Sequence, residues 1–363
     1  MPKRVVAVPK QQNLLELVSH GRGGPGGRLL LSPGQLQAVA RTVRKVPEVV
    51  VRVSGGARDA GGAKAHFSYL DRHGQLTVHT DDGREISGKE VAAELVDEWN
   101  LDLSKGQYRP PPAAGEKDAR PKVVHNVVLS MPGRTPPEAV LAAAQAFARE
   151  QFGLQHRYAM ALHTDQEHPH VHLVVKAEHE FEPGKRLYVR KATLVQWRES
   201  FAQALREEGV AANATPRQLR GENRTTKKAA IHQRLKAIAD HERLPDEDKA
   251  KRRAPKGSTF MRRRVEQVAR ALQAGRLVPE AGKAKLHATR EAVRAGWLTT
   301  AEVLRGQGQS HLAEEVEAFA KSMPAARTDR ETIAAGLLAR IQARRQQAAS
   351  VDALRTALQR GER

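Results

Sequence analysis

Four histidines and two acids crowd the start of HTDQEHPHVHLVVKA, His163 to Ala177, which then turns apolar. Six of the chain's fifteen histidines fall between His156 and His179. Side chains in a strand point to opposite faces in turn. In HPHVHLVVKA, His170, His172 and Val174 therefore share one face, while Val171, Leu173 and Val175 share the other, which should be buried. In the preceding HRYAMALHT, Ala159, Ala161 and His163 lie on one face, with Tyr158, Met160 and Leu162 opposite. If the acidic turn DQEHP pairs these strands antiparallel, His163 stands near His170 and His172, and the alanines behind it leave room for a ligand. Three neutral imidazoles converging from paired strands bind a divalent metal and can leave positions open for a substrate oxygen. Asp165 is placed to accept the spare ring N–H of a liganding histidine and fix its tautomer. A single His-x-His on a strand is usually a hydrogen-bonded surface pair. Adding His163, the apolar reverse face and Asp165 shifts the reading to a metal site. His156, His168 and His179 are read as exposed.

A second group sits in AHFSYLDRHG. On a helix His66, Tyr69 and His73 recur at three and four residues, so they share a face. A tyrosine among basic side chains is commonly a packed or solvated aromatic. It can also be a nucleophile, once a nearby base or metal-bound oxygen takes its proton. Spacing alone leaves both readings open.

The elements that would carry these residues are legible in outline. PEVVVRVSGG (Pro47–Gly56) is a β-branched run closed by two glycines, a strand. ARDAGGAKAHFSYLDRHG reads as a helix ended by Gly74, and QLTVHTDDGREIS as a hairpin about Asp-Gly. SGKEVAAELVDEWN is a helix with Ser87 available as its cap. QYRPPPAAGEKDARP is a loop, KVVHNVVLSM a second strong strand, and TPPEAVLAAAQAFAREQFG a helix between Thr135 and Gly153. VRKATLVQWRESFAQALREEG is an amphipathic helix. Strands and helices mix without regular βαβ alternation, which predicts an α+β domain on an antiparallel sheet over residues 46–220. Residues 1–45, with HGRGGPGGR, read as a flexible basic leader. After Pro216 the chain turns rich in Ala, Arg, Lys, Glu and Gln, so 221–363 reads as a helical basic region. No exact internal repeat is evident.

Charge narrows the partner. Sixty-one Lys and Arg against forty-one Asp and Glu leave a formal charge of +20. Such an excess favours a polyanion, because each cation that neutralises a phosphate releases a counterion. Aromatics make up only 4%, which argues against an interface built mainly on base stacking. There is no cysteine, so disulfides, zinc knuckles and thiol catalysis are excluded, and any metal falls to His, Asp or Glu. MPKRVVAVPKQQ has no apolar core of a signal peptide, and no run approaches the roughly 18 apolar residues of a membrane span. The chain reads as cytosolic.

FSYLDRHG, VHNVVLSMPGRTPPE and HTDQEHPHVHLVVKAE, in that order, closely resemble the three motifs of conjugative relaxases, in the MobP class of the HUH endonucleases. The resemblance spans roughly Pro47 to Gly221. It implies a five-stranded antiparallel palm with helices. It makes Tyr69 the nucleophile, Ser130 a strand residue that helps hold DNA, His163, His170 and His172 the metal ligands, and Asp165 the acid. The implied cofactor is a divalent ion, Mg²⁺ or Mn²⁺. The implied reaction is cleavage of one strand of origin-of-transfer DNA, single-stranded or supercoiled, through a 5′-phosphotyrosyl enzyme that later rejoins the ends. Accessory relaxosome proteins and a type IV secretion coupling protein are implied partners. The implied location is the bacterial cytoplasm, with passage to the recipient alongside the DNA. On the second strand Asn126, Val128 and Ser130 share a face, so Asn126 and Ser130 face the DNA and His125, with Val127 and Leu129, does not. His66 and His73 join them as DNA contacts.

Two other functions compete. A rolling-circle replication initiator uses the same chemistry but usually carries its tyrosine after the histidines, whereas Tyr69 comes about a hundred residues before His170. A non-enzymatic basic DNA-binding protein with a surface histidine cluster would form no covalent adduct with DNA.

Overall fold

The computed structural model describes residues 30–101, 109–113, 115–116, 118–223, 241, 245, 247–248, 259–275 and 280–361, with the side chains of the last helix described to residue 351. Two compact units divide between Thr215 and Pro216: Leu36–Thr215 is one, and the described parts of 1–35 and 216–363 make the other.

Part of the segment read as a leader through residue 45 is helical. Pro33–Val43 (α1) is a helix that starts on proline, whose fixed φ suits a first helical turn. Val39 and Thr42 are buried, and Thr42 Oγ1 lies 2.6 Å from Thr215 Oγ1 and accepts from Asn213 Nδ2 at 3.2 Å. Residues 1–29, with the glycine-rich stretch, lie outside the described residues.

The sheet of this unit has six antiparallel strands, one more than the resemblance implied: β1 (Val50–Gly55), β2 (Val78–Thr80), β3 (Glu85–Ile86), β4 (Val124–Ser130), β5 (Tyr158–His163) and β6 (His170–Lys176). Their order is β1-β4-β6-β5-β2-β3. The short hairpin β2–β3 extends one edge, and β6 sits between the two strands it pairs with over its length.

Helices cover both faces, for reasons written in the alternation. Val127, Leu129, Val171, Leu173, Val175 and Met160 point to one side. There they meet α4 (Pro137–Phe152) and α5 (Lys191–Glu207), whose Phe147, Phe152, Trp197 and Phe201 rings pack edge-on at 5.3–6.2 Å. Full burial of each such ring stabilises by about 1.5–3 kcal/mol. On the other side α2 (Ala60–Leu70) and α3 (Val91–Trp99) share a buried cluster with Ala159, Ala161, Val174 and Val124, closed by Phe67 against Trp99 at 4.9 Å. The alanines therefore make room for a covering helix rather than for a ligand. Ser87 does not cap α3: its hydroxyl bonds Thr77 Oγ1 at 3.3 Å, and the helix begins at Val91 after Gly88, at φ +119°.

The second unit is helical: α6 (Thr259–Gln273), α7 (Lys283–Gly306), α8 (Ser310–Ser322) and α9 (Asp329–Gly361). Trp297 is buried against Phe319 and donates Nε1–H to Leu219 O at 2.8 Å. No helix among the described residues is long and apolar enough to cross a membrane.

Candidate active site

Strand register builds the site in two lateral rows. Val50, Ser130, His170 and His163 stand side by side across β1, β4, β6 and β5; the next row on the same face is Arg52, Val128, His172 and Ala161. His163 thus faces His170 directly, with His172 one side-chain step away. The ligand nitrogens of the three lie within 4.8 Å of one another, and ring centroids are 4.5–5.4 Å apart. His163 and His170 are buried, and His172 is half-buried.

Backbone carbonyls fix two tautomers. A carbonyl only accepts, so His163 donates Nε2–H to Leu70 O at 2.8 Å, and His170 donates Nδ1–H to His168 O at 3.0 Å. The nitrogens that carry a lone pair are then Nδ1 of His163 and Nε2 of His170. Burial, followed by the positive potential of His163, His170, Arg52 and Arg72, pushes His172 down to about 3. Burial likewise lowers His163. Both rings are therefore neutral near pH 7, the form that ligates metal. The converging neutral donors and carbonyl-anchored N–H groups fit a divalent cation.

The turn between the strands is latched to the loop after β4. Met131 N–H donates to Pro169 O at 3.3 Å, and Gly133 N–H to His168 Nδ1 at 2.7 Å. A side chain at Gly133 would come within 2.9 Å of Glu167 O, so this crossing needs glycine. His168 is exposed as expected, yet it works as part of that latch.

Tyr69, in the last turn of α2, is 52% exposed. Its ring stands edge-on to His172 at 5.1 Å and 6.1 Å from His163. The helix stops at Leu70, and Arg72, His73 and Gly74 follow at φ +54°, +57° and +86°. Three successive left-handed residues break the helical periodicity, so His73 does not share a face with His66 and Tyr69; it is exposed on the loop. Gly74 packs so closely that a Cβ would lie 2.7 Å from the Gly88 carbonyl carbon.

Asp165 departs from its expected role. The N–H groups of His163 and His170 go to carbonyls, and Asp165 instead pairs with Arg72 Nη2 at 2.7 Å. That hydrogen bond holds its carboxyl below the ordinary range. Arg72 in turn reaches His163 Nδ1 from Nε and Nη2, at 3.3 and 3.2 Å. Asn126 Nδ2 donates to His66 Nδ1 at 2.7 Å, tying β4 to α2, while Asn126 Oδ1 is buried without a partner. Ser130 is half-buried in the histidine row and bonds Met131 O at 3.4 Å. Tyr158 is buried and Tyr188 is exposed; Tyr108 lies outside the described residues.

Sequence reasoning missed Arg52 and Arg72. Arg52 was accessible to it, since alternation through VVRVS puts Arg52 and Ser54 on one face. No periodicity could have aimed Arg72, because a left-handed turn does so. His156 and His179, expected exposed, are both buried at 8% exposure.

A sheet with paired histidines at one end and a tyrosine on a covering helix defines the class: a nuclease domain of the relaxase type. Residues 79–210 match the family model of the relaxase MobA/VirD2-like nuclease domain. The match includes all three histidines and begins ten residues after Tyr69. The chain is 24% identical over 210 residues to the T-DNA border endonuclease VirD2 of Rhizobium radiobacter, covering 54% of this chain and 46% of that protein. It is 24% identical over 187 residues to VirD2 of Agrobacterium fabrum, covering 48% and 41%. The chain thus spans less than half the length of these curated relatives. Among solved structures, the Mn-bound MobM relaxase domain with plasmid pMV158 oriT DNA aligns at 14% identity and a TM-score of 0.35, over 52% of this chain and 98% of that one.

Proposed function

We propose that this protein is a DNA relaxase, nicking one strand at an origin of transfer with Tyr69 as nucleophile beside a cation site of His163, His170 and His172. The observation that carries the reading is the exposed phenol ring 5.1 Å from His172, over three converging imidazoles. The family match and the name of the curated relatives, T-DNA border endonuclease, support DNA as substrate, as does the charge of +20. A divalent ion, Mg²⁺ or Mn²⁺, would supply charge stabilisation on a phosphate oxygen. Tyr69 Oη attacks phosphorus in line. The Oη–P bond forms, the P–O3′ bond breaks, and the 3′ oxygen leaves with a proton, giving a 5′-phosphotyrosyl enzyme and a free 3′-OH. The reverse attack by that hydroxyl rejoins the strand. Arg52, exposed in the row of His172, and Ser130 line the open part of the sheet face and hold the phosphates on either side. The helical unit adds DNA affinity or a docking surface for relaxosome and coupling partners. Passage into the recipient with the strand belongs to the same proposal.

Tyr69→Phe tests it. The variant is expected to lose nicking and covalent attachment while keeping DNA binding, because only the phenolic oxygen is removed. Mass spectrometry of the peptide–DNA adduct from wild type should find the modified residue at Tyr69. An adduct on Tyr108, Tyr158 or Tyr188, or none with a supercoiled origin plasmid and Mn²⁺, would overturn the reading.

A further inference from the structure

Two cations have a claim on one lone pair in this site. Leu70 O takes the Nε2–H of His163, so the ring offers a single lone pair at Nδ1. Arg72 already uses it, with Nε at 3.3 Å and Nη2 at 3.2 Å. Guanidinium is always protonated in proteins, so Arg72 is both an obligatory donor and a permanent positive charge. Nδ1 is also the atom through which His163 would face a metal shared with His170 and His172. One lone pair cannot accept an N–H and ligate a metal at the same moment.

We infer that Arg72 is a built-in placeholder cation: it caps His163 Nδ1 before the divalent ion arrives, must be displaced for the ion to bind, and then turns to a phosphate of the DNA. The inference rests on the metal reading proposed above. Three observations carry it. The left-handed run from Arg72 to Gly74 carries this residue back over the triad, in a conformation L side chains rarely adopt. Asp165 holds Nη2 at 2.7 Å, giving the guanidinium a second anchor when it leaves Nδ1. Both side chains are partly exposed, at 34% and 46%, so the pair has room to pivot. A freed guanidinium matches a phosphate with two parallel N–H donors, which a point charge does not. Metal and DNA phosphate should therefore assist each other's binding, since each rewards the same displacement of Arg72, and such coupling is reciprocal.

Calorimetric titration of the full chain with Mn²⁺ alone tests this without reference to nicking. Removing a positive charge in contact with a ligand atom should tighten the ion in Arg72→Ala and Arg72→Gln by about tenfold, or about 1.4 kcal/mol. Arg72→Lys, which keeps the charge, should stay near wild type. If Arg72 merely orients His163, Arg72→Ala binds Mn²⁺ more weakly or equally, and the inference falls. Circular dichroism melts of each variant separate that result from misfolding, and Arg72→Gln repeats the test with a side chain of similar length. The metal reading fails differently: no variant binds Mn²⁺, or His163→Ala binds it as wild type does.

Discussion

Strands β5 and β6 carry histidines at both ends, and the two ends use them in opposite ways. At one end His163 and His170 spend their N–H groups on carbonyls and turn their other ring nitrogens toward His172, that of His163 capped by the Arg72 side chain. At the other, His156 donates Nδ1–H to Glu178 O at 3.2 Å, and His179 Nδ1 accepts the backbone N–H groups of Phe181 and Glu182 at 3.2 and 3.1 Å. Their rings lie 5.5 Å apart, nearly as close as those of the triad, yet no third ligand joins them among the described residues. The His179 lone pair is consumed in shaping the loop after β6. Imidazole density is thus a poor sign of a metal site, and the direction in which the ring nitrogens converge is a good one.

The largest expected effect would break the comparison outright. His163→Ala, His170→Ala and His172→Ala should each lower Mn²⁺ affinity and nicking by at least about a hundredfold, more than the loss of an outer-shell partner typically costs. His156→Ala and His179→Ala should leave Mn²⁺ affinity intact. His156→Ala should lower unfolding stability by about 1–3 kcal/mol, because it removes the donor to the buried Glu178 carbonyl, and His179→Ala by less, because Phe181 and Glu182 are exposed. Metal titration beside urea melts reads both quantities. Metal loss in His179→Ala with retention in His170→Ala would reverse the assignment of the two ends.

How much of this was legible depended on whether a feature is periodic. Alternation alone put His163, His170 and His172 on one face and Val171, Leu173 and Val175 in the core, because a strand's side-chain period is fixed. The hairpin at Asp-Gly and the helix from Pro137 to Phe152 followed from local turn and cap chemistry. Features set by contact between distant segments were not legible. The Asn126–His66 bond, the Arg72 contact with His163 and the burial of His156 and His179 each depend on a neighbour many residues away. His73 failed for a different reason: a helical face was extended past Leu70, where backbone conformation changes hand. Pro33–Val43 was hidden by its proximity to a glycine-rich run, although Thr42 has partners at Asn213 and Thr215.

A smaller effect sharpens the boundary of the metal end. His168→Ala keeps the carbonyl that orients His170 but removes the acceptor of Gly133 N–H. One exposed hydrogen bond is worth about 0.5–1.5 kcal/mol, so affinity and nicking should fall far less than in the triad variants. Gly133→Ala, which collides with Glu167 O, should be worse than His168→Ala. Equal losses in His168→Ala and His170→Ala would make His168 a ligand in its own right.

The finest distinction between the ends is a slope with pH. Burial pushes His125 down to about 4, with Lys122, Arg186 and His156 adding positive potential and a carbonyl bond to Leu187 opposing. His125 lies on the face of Val127 and Leu129, away from the triad, and its Nδ1 is buried without a partner. His172 is pushed down to about 3 at the metal end. In both cases the unfolded chain takes up a proton near 6.5 while the folded chain refuses it until far lower pH. Stability is therefore fully present above about 6.5 and falls as pH drops towards the folded values, by at most about 1.4 kcal/mol per unit for each ring. His125→Gln, which keeps a donor but does not titrate, should flatten the slope with or without Mn²⁺. Saturating Mn²⁺ competes with protons only at the triad, so in His125→Gln it should steepen what slope remains, as acid strips the ion as well as charging the ring. Urea melts between about pH 7 and pH 5 measure each slope. An identical slope in wild type and His125→Gln would take His125 out of the acid sensitivity and leave it to His163, His172 and the buried His156.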